Sequence, residues 1–517
     1  MSDISEKLNL ALKLHQSEQI QQAESLYKEI LEIDPCNPDA LHLLGVIFTG
    51  RQEYEKALNY IKKAINLRKS ANYFSSLAKV YTCQSNNLEA INCYMQLINI
   101  DPNCVEAYNN MGNLLVCLNK TDEAIACYIT AIKINPDYVN SYYNLGNTLL
   151  NNNEIDSAKN FYNLAIKLKP DYAEAYYNLG AAFHFENNIR KAINYYEKAV
   201  SLKPDCLEVY YNLSSAYLIE KDFEKGWEIF RKIRQMKQKN KKIDESLLKI
   251  QWNGESLEGK TIYVFHEQGI GDTIFSARYL PLLNSMGAKV KLKPQAGLEK
   301  LFRQSDFDIE VIDNSVPEEY IDFDTHISMY YMLSILNMNT QHIPFPDGYL
   351  KVDKQKSEYY RQKYFNNDKF KTGIVWQGNP KFKNDKKRSI SLKELYPLAD
   401  IPEIKLYSLQ KGSGSEQLLE LPENLEIIDI GNSFNDFSDT AAAIDNLDLL
   451  ISVDTSVVHL AGALGKPAWV LIPYSPDWRW FLESDESVWY KSIKLFRQKE
   501  PGNWLEVIDR VCKSLYK

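Results

Sequence analysis

Four prolines, Pro102, Pro136, Pro170 and Pro204, recur at intervals of 34 residues, each closing a segment of the type Ala-Ile-Lys-Ile-Asn-Pro. A fixed period of this length means that one supersecondary unit is copied along the chain, and each copy must bury its apolar face on the next. Two series of small residues keep the same beat. One is Ala11, Gly45, Ala78, Gly112, Gly146, Gly180 and Ser214; the other is Ala23, Ala57, Ala90, Ala124, Ala158, Ala192 and Gly226. Together they mark seven copies, one of them a residue short. Each copy reads as two short amphipathic helices, which approach closely only where a side chain is tiny. Spacing of i, i+3, i+4 assigns Leu145, Leu179, Tyr162, Tyr196, Ala165 and Ala199 to the interhelix core. Proline lacks an amide hydrogen and clashes with the preceding turn, so it ends the second helix of a copy.

This spacing resembles the tetratricopeptide repeat family over about 230 residues. The resemblance implies an α-solenoid over residues 1–235 whose concave surface takes up a protein or peptide. Tyr108-Asn109-Asn110, Tyr142-Tyr143-Asn144, Tyr176-Tyr177-Asn178 and Tyr210-Tyr211-Asn212 recur on the first helix of successive copies. Asn110, Asn144, Asn178 and Asn212 are candidates for gripping an extended backbone, because an amide side chain both donates and accepts. The other reading leaves these asparagines merely solvated, with the tyrosines in the core.

At 517 residues the chain exceeds what one hydrophobic core organises. Its 45% hydrophobic and 25% charged residues belong to an ordinary globular protein. A net charge of -8 and a pI near 5.6 argue against nucleic acid as a partner, which calls for a basic face. No basic segment followed by an apolar run opens the chain, and no uninterrupted apolar stretch approaches membrane-spanning length, so no membrane span and a cytoplasmic location are expected. Seven of the eight cysteines lie in the repeat half, without metal or redox spacing, and read as small buried hydrophobes.

After Gly226-Trp227 the repeat fades into a basic helical run from Arg231 to Lys242, and a linker is expected over 236–257. The period then changes. Strand-like runs occur at Thr261–Phe265, Lys289–Leu292, Thr372–Trp376, Lys405–Leu409, Leu425–Ile430, Leu449–Val453 and Ala468–Ile472, mostly separated by helical patterns such as Thr273–Leu283. That alternation predicts doubly wound parallel sheets in two Rossmann-like lobes, 258–355 and 356–517, divided within Pro344–Lys356.

Three segments stand where a strand runs into a turn, the place where open α/β sheets bind ligands. The first, His266 to Thr273, contains Gly269, Gly271 and Asp272; the aspartate also suits a helix N-cap. The second, Ile451 to Gly462, puts Asp454, Thr455 and Ser456 at a helix start fit for a phosphate, with His459 one turn later. Capping residues and a packed histidine are the alternative reading. The third, Gly373 to Pro380, leads through Gln377 and Asn379 to Lys383, Lys386, Lys387 and Arg388, cations able to clamp a pyrophosphate. In isolation that run is a solvated loop.

In order along the chain, Gly-Ile-Gly-Asp-Thr, Trp376-Gln377-Gly378-Asn379-Pro380 with Arg388-Ser389, Ser408 to Gly412, Asp436 to Thr440, Asp454-Thr455-Ser456 with His459, and Pro476 to Trp480 resemble bacterial tetratricopeptide proteins with a heptosyltransferase-like GT-B glycosyltransferase domain. The resemblance spans about 258–517. It implies an α-solenoid followed by α/β lobes and a metal-independent, inverting transfer from a nucleotide sugar, without a cofactor. Asp272 would be the general base, while Gly271, Gln377, Asn379, Arg388, Gln410, Asp436, Asp454, Thr455, Ser456 and His459 would hold the donor. Domain order resembles the O-linked N-acetylglucosamine and flagellin glycosyltransferases, which implies that the repeats recruit an acceptor polypeptide. Ser328 to Leu333 departs from the family text in a first lobe that is short. An inactive repeat scaffold, or a transferase acting on a lipid or polysaccharide, are the alternatives.

Overall fold

The computed structural model describes residues 2–240, 251–382 and 385–516; Lys383 and the end of the basic run at Lys242 lie outside them. Among the described residues, fourteen helices occupy the first 240 positions, from Ser2–Gln16 to Phe223–Asn240. Packing divides the chain into two compact units, Met1–Ala182 and Phe183–Lys517.

In the first unit the repeat physics is visible at atomic detail. Helices end at Ile100, Ile134 and Leu168, two residues before each periodic proline, and the residue between is extended. A methyl group on Gly112 would stand 2.6 Å from the Tyr128 ring, and one on Gly146 2.7 Å from Tyr162, so glycine sets the helix spacing within each pair. Every turn within a copy contains one left-handed, non-glycine residue: Glu18, Gln52, Ser85, Asn119, Asn153, and in the second unit Asn187 and Lys221. The step from Gln52 to Ser85 is one residue short, which locates the irregular copy. Leu145, Tyr162, Ala165, Leu179, Tyr196 and Ala199 are all buried. The cysteines differ from expectation: Cys93 and Cys127 are buried, whereas Cys36, Cys83 and Cys117 are exposed. Cys83 and Cys117 end their helices and Cys36 lies between two, positions that carry no packing demand.

The second unit contains the last repeat helices and two parallel sheets. Strands β1 (Thr261–Phe265), β2 (Lys289–Lys293), β3 (Ile309–Val311) and β4 (Thr325–Ser328) lie in the order β3-β2-β1-β4. Strands β5 (Phe370–Val375), β6 (Ile404–Ser408), β7 (Ile427–Asp429), β8 (Leu449–Val453), β9 (Ala468–Ile472) and β10 (Ile493–Arg497) lie in the order β10-β9-β8-β5-β6-β7. Every pairing is parallel. Chain order reverses beside β1 in one sheet and between β5 and β8 in the other, which makes these the switch points of doubly wound sheets. β8 is buried along its whole length, as a central parallel strand must be.

The helical pattern predicted over Thr273–Leu283 is two helices, Ile270–Ala277 and Leu280–Ser285, broken at Arg278-Tyr279. The division placed at 355/356 falls inside one helix, Lys354–Tyr364, capped by Asp353. The boundary placed at 235 marks where the repeat pattern stops; packing instead joins Phe183–Asn240 to the sheets. Trp227 shows why: it is fully buried, donates its indole N–H to the Met338 carbonyl (2.6 Å), and meets Tyr330 and Trp478 edge-on. No helix among the described residues is long and apolar enough to cross a membrane.

Candidate functional site

The loops after β1, β5 and β8 open at the carboxyl ends of their strands and surround one cavity of about 1020 Å³. All eleven residues named from the sequence for catalysis or donor binding line it, from Gly271 and Asp272 to Ser456 and His459. The helices Ile270–Ala277 and Ser456–Ala463 point their N-termini into it. A methyl group on Gly271 would stand 3.0 Å from the His459 ring and 3.4 Å from the Ser456 Cα, so this glycine lets the two helix starts close on each other. Tyr349 braces the same pair, donating its amide to the Ala463 carbonyl (2.7 Å) and its hydroxyl to the Ile274 carbonyl (2.8 Å).

Asp272 is the third residue of its helix and accepts the Gly269 amide (3.0 Å) as half of a capping box. Its other oxygen accepts from Arg479, whose guanidinium also donates to Asp477 (2.8 Å). Arg479 is buried among Phe275, Trp478 and Tyr330, with its carbon centre 4.7 to 5.6 Å from their ring centres. Burial raises the Asp272 pKa above its ordinary range, against the pull of Arg479. Burial and then the charge of Asp477 push Asp454 up to about 6, while Arg388, the Trp480 indole and Arg479 draw it down. His459 is held neutral by burial and by the cations Arg479, Arg278 and Arg388; it lies flat on Trp480 and meets the Tyr490 hydroxyl at 3.1 Å.

Other named residues shape the cavity wall. The Gln410 amide accepts from the Trp376 and Gln377 amides (3.2 and 3.1 Å) and donates to the Gln377 and Ser413 carbonyls (3.0 and 2.8 Å), so it fixes the turn after β5. Asn379 accepts from the Lys381 amide in an Asx turn. Asp436 caps the helix Phe437–Asp445; against its own burial, the Ser438 hydroxyl, Lys300 and Lys356 hold its pKa at about 2. Arg388 remains half-buried at the cavity edge, steered by Asp385 (3.1 Å) and stacked on Phe382 (4.8 Å). Thr455 sits at the start of the helix Ser456–Ala463, its hydroxyl 3.2 Å from that of Ser452.

Sequence reasoning assigned no role to Asp477, Arg479 or Tyr330. The first two lie in the quoted Pro476–Trp480 run, where an arginine flanked by tryptophans is a signal for a buried cation. Tyr330 lies where the family text departs. The cavity also takes Tyr211, Ser214, Ser215, Leu218 and Phe230 from the last repeat, which spacing alone did not connect to the sheets.

The asparagine series is half-buried rather than exposed. The Asn144 amide donates to Asn109 (3.0 Å), and that of Asn178 to Asn147 (2.6 Å) and the Tyr143 hydroxyl (3.1 Å), so neighbouring copies are tied together by these side chains. Asn110 accepts from Asn109 (3.3 Å), and Asn212 is half-buried on the helix Leu207–Ile219. Of the tyrosines, Tyr210 is in the core and Tyr142, Tyr143 and Tyr211 are half-buried.

Family models described as tetratricopeptide repeat match residues 14–80, 139–172 and 173–206, and one described as TPR repeat matches 112–153. This part of the chain therefore consists of tetratricopeptide repeats, which are protein-interaction scaffolds. A curated relative, protein FlbA of Caulobacter vibrioides, is 24% identical over 294 residues, covering 52% of this chain and 48% of FlbA. The chain thus matches about half the length of that relative. Solved structures of similar proteins include MamA (26% identity, 32% of this chain and 96% of that one, TM-score 0.30) and pilF of Pseudomonas aeruginosa (20%, 40% and 94%, TM-score 0.36). Another is YrrB, described as a TPR protein with an unusual peptide-binding site (21%, 35% and 95%, TM-score 0.31).

Proposed function

We propose that this protein is a glycosyltransferase that moves a sugar from a nucleotide donor to a hydroxyl of a polypeptide recruited by its repeats. One observation carries the reading: a carboxylate at a helix start, Asp272, shares a single cavity with Arg388 and with the N-terminus of Ser456–Ala463. The cation and the free amides suit the diphosphate of a donor. Asp272 suits the acceptor. As the acceptor oxygen forms its bond to the anomeric carbon, its proton passes to Asp272; the bond from that carbon to the phosphate oxygen breaks, and its electron pair leaves on the diphosphate. General-base assistance of this kind contributes about 100- to 10,000-fold. Raised by burial, Asp272 is a stronger base than a solvated carboxylate.

The test is nucleotide release from UDP, GDP and ADP sugars by the full-length protein, with and without candidate acceptor proteins. Turnover of one donor, reduced about 100-fold or more in Asp272→Asn, is expected. Silence with every donor, or unchanged turnover in Asp272→Asn, overturns the reading.

A further inference from the structure

The cavity has two chemically different sides. Arg388, Lys411 and the start of Ser456–Ala463 lie on the side of the six-stranded sheet. The same cavity is also lined by a wall from the last repeat: Tyr211, Ser215 and Leu218 at i, i+4 and i+7 of Leu207–Ile219, with Phe230 from the following helix. None of the repeat residues on the cavity is charged. Ser214 gives its hydroxyl to the Gly226 carbonyl (2.8 Å), which leaves Tyr211 and Ser215 as the half-buried polar groups on this face. Lys237 lies over the Tyr211 ring (5.2 Å) and is not among the residues lining the cavity. The helix Leu207–Ile219 packs against Trp478–Trp480, where Arg479 already holds Asp272 and Asp477.

We propose that this wall is the acceptor subsite and that it takes a neutral polypeptide segment bearing a hydroxyl side chain; the proposal rests on the transferase reading above. An acidic or phosphorylated acceptor would bring its charge toward two carboxylates whose one guanidinium is committed, at a cost that low dielectric magnifies. A neutral segment finds hydroxyls for its backbone at Tyr211 and Ser215 and apolar cover at Leu218 and Phe230. The occupant is a polypeptide because the wall is itself the first helix of a tetratricopeptide repeat, a protein-interaction scaffold.

The experiment uses the full-length protein with synthetic peptides built from Ser, Thr, Ala and Gly, and matched peptides in which flanking residues are Glu or phosphoserine. Fluorescence anisotropy is expected to show neutral peptides binding about tenfold tighter than acidic ones. Ser215→Trp, which fills the wall, should weaken the neutral peptides about tenfold, and Ser215→Lys should reverse the preference. With any donor that is turned over, Ser215→Trp should shift sugar from peptide to water by about the same factor. Equal binding of neutral and acidic peptides, an unchanged Ser215→Trp, or a phosphorylated glycolipid outcompeting the peptides overturns the proposal. If no donor is turned over while Ser215→Trp still weakens neutral peptides, the transferase reading fails and the wall stands as a peptide site.

Discussion

Arg479 donates to the carboxylate of Asp272, a residue 207 positions earlier in the chain, and the same guanidinium holds Asp477. One buried cation therefore couples the helix after β1 to the loop after β9. Arg479→Ala leaves the part-exposed carboxylates of Asp272 and Asp477 without their shared cation, at about 1–3 kcal/mol. Arg479→Lys is expected to recover only part of this, because an ammonium cannot fork to two carboxylates in one plane. Urea unfolding at neutral pH measures both variants. A loss below about 1 kcal/mol for Arg479→Ala would mean that the pair behaves like a surface bridge.

Gln410 is a different kind of support. Its single amide joins the backbone at Trp376, Gln377 and Ser413. Gln410→Ala leaves two amide hydrogens at the buried end of β5 without partners, at about 1–3 kcal/mol each. Gln410→Glu keeps the accepting oxygen but puts a second oxygen against two carbonyls, and should be no better. Because the turn presents Gln377 and Asn379 to the cavity, nucleotide affinity should fall in both variants along with the melting temperature. Unaltered nucleotide affinity with lowered stability would show that the turn does not contact the ligand.

Both halves of the fold were legible in the sequence to different depths. The repeat array announces itself, since the residues that recur are those whose size sets helix spacing, Gly112 against Tyr128 and Gly146 against Tyr162. Strands β1, β8 and β9 were placed to the residue because they are continuous apolar runs. β3, β4 and β10 escaped: Ile309–Val311 is three residues long, and Thr325–Ser328 and Ile493–Arg497 carry polar and basic residues in short runs. Most cavity residues were readable as strand-to-turn motifs, Gln410 and Asp436 only through the family resemblance, and their partners not at all. Nothing local links Asp272 to Arg479 or Gly271 to His459; those relations exist only once the two sheets pack. Nor does the series disclose that the amides of Asn144 and Asn178 already bind neighbouring copies.

Acid should reveal Asp454. Its carboxyl, normally near 3.8, is lifted to about 6 by burial and by the neighbouring charge of Asp477. Between about pH 4 and 6 the folded state therefore keeps a proton that the unfolded chain has released, so this residue's contribution makes stability fall as pH rises through that window. Asp436, held at about 2, acts oppositely: its contribution is full above about pH 4 and is lost as pH falls toward 2. In Asp454→Asn the falling limb should vanish, so the variant gains on the wild type between about pH 4 and 7. Amide hydrogen exchange in Ser456–Ala463 across this range measures the gain; a constant difference would place the Asp454 pKa near its ordinary value.

The last repeat belongs energetically to the sheets. The repeat text ends after Trp227, and a fragment cut at the sequence boundary near 235 would discard that tryptophan. Trp227 is fully buried, hydrogen-bonded to the Met338 carbonyl, and edge-on to Tyr330 and Trp478, two residues that line the cavity. Its removal opens a void beside the cavity and leaves an accepting carbonyl bare. Trp227→Ala is therefore expected to cost about 3–5 kcal/mol. A fragment of residues 183–517 should unfold cooperatively, since it retains the whole packing unit, whereas 236–517 should lack a sharp transition and expose apolar surface. Calorimetry with a hydrophobic dye compares the two. If 236–517 melts as sharply and as high as 183–517, the last repeat is an appendage and the wall it lends the cavity is dispensable to the fold.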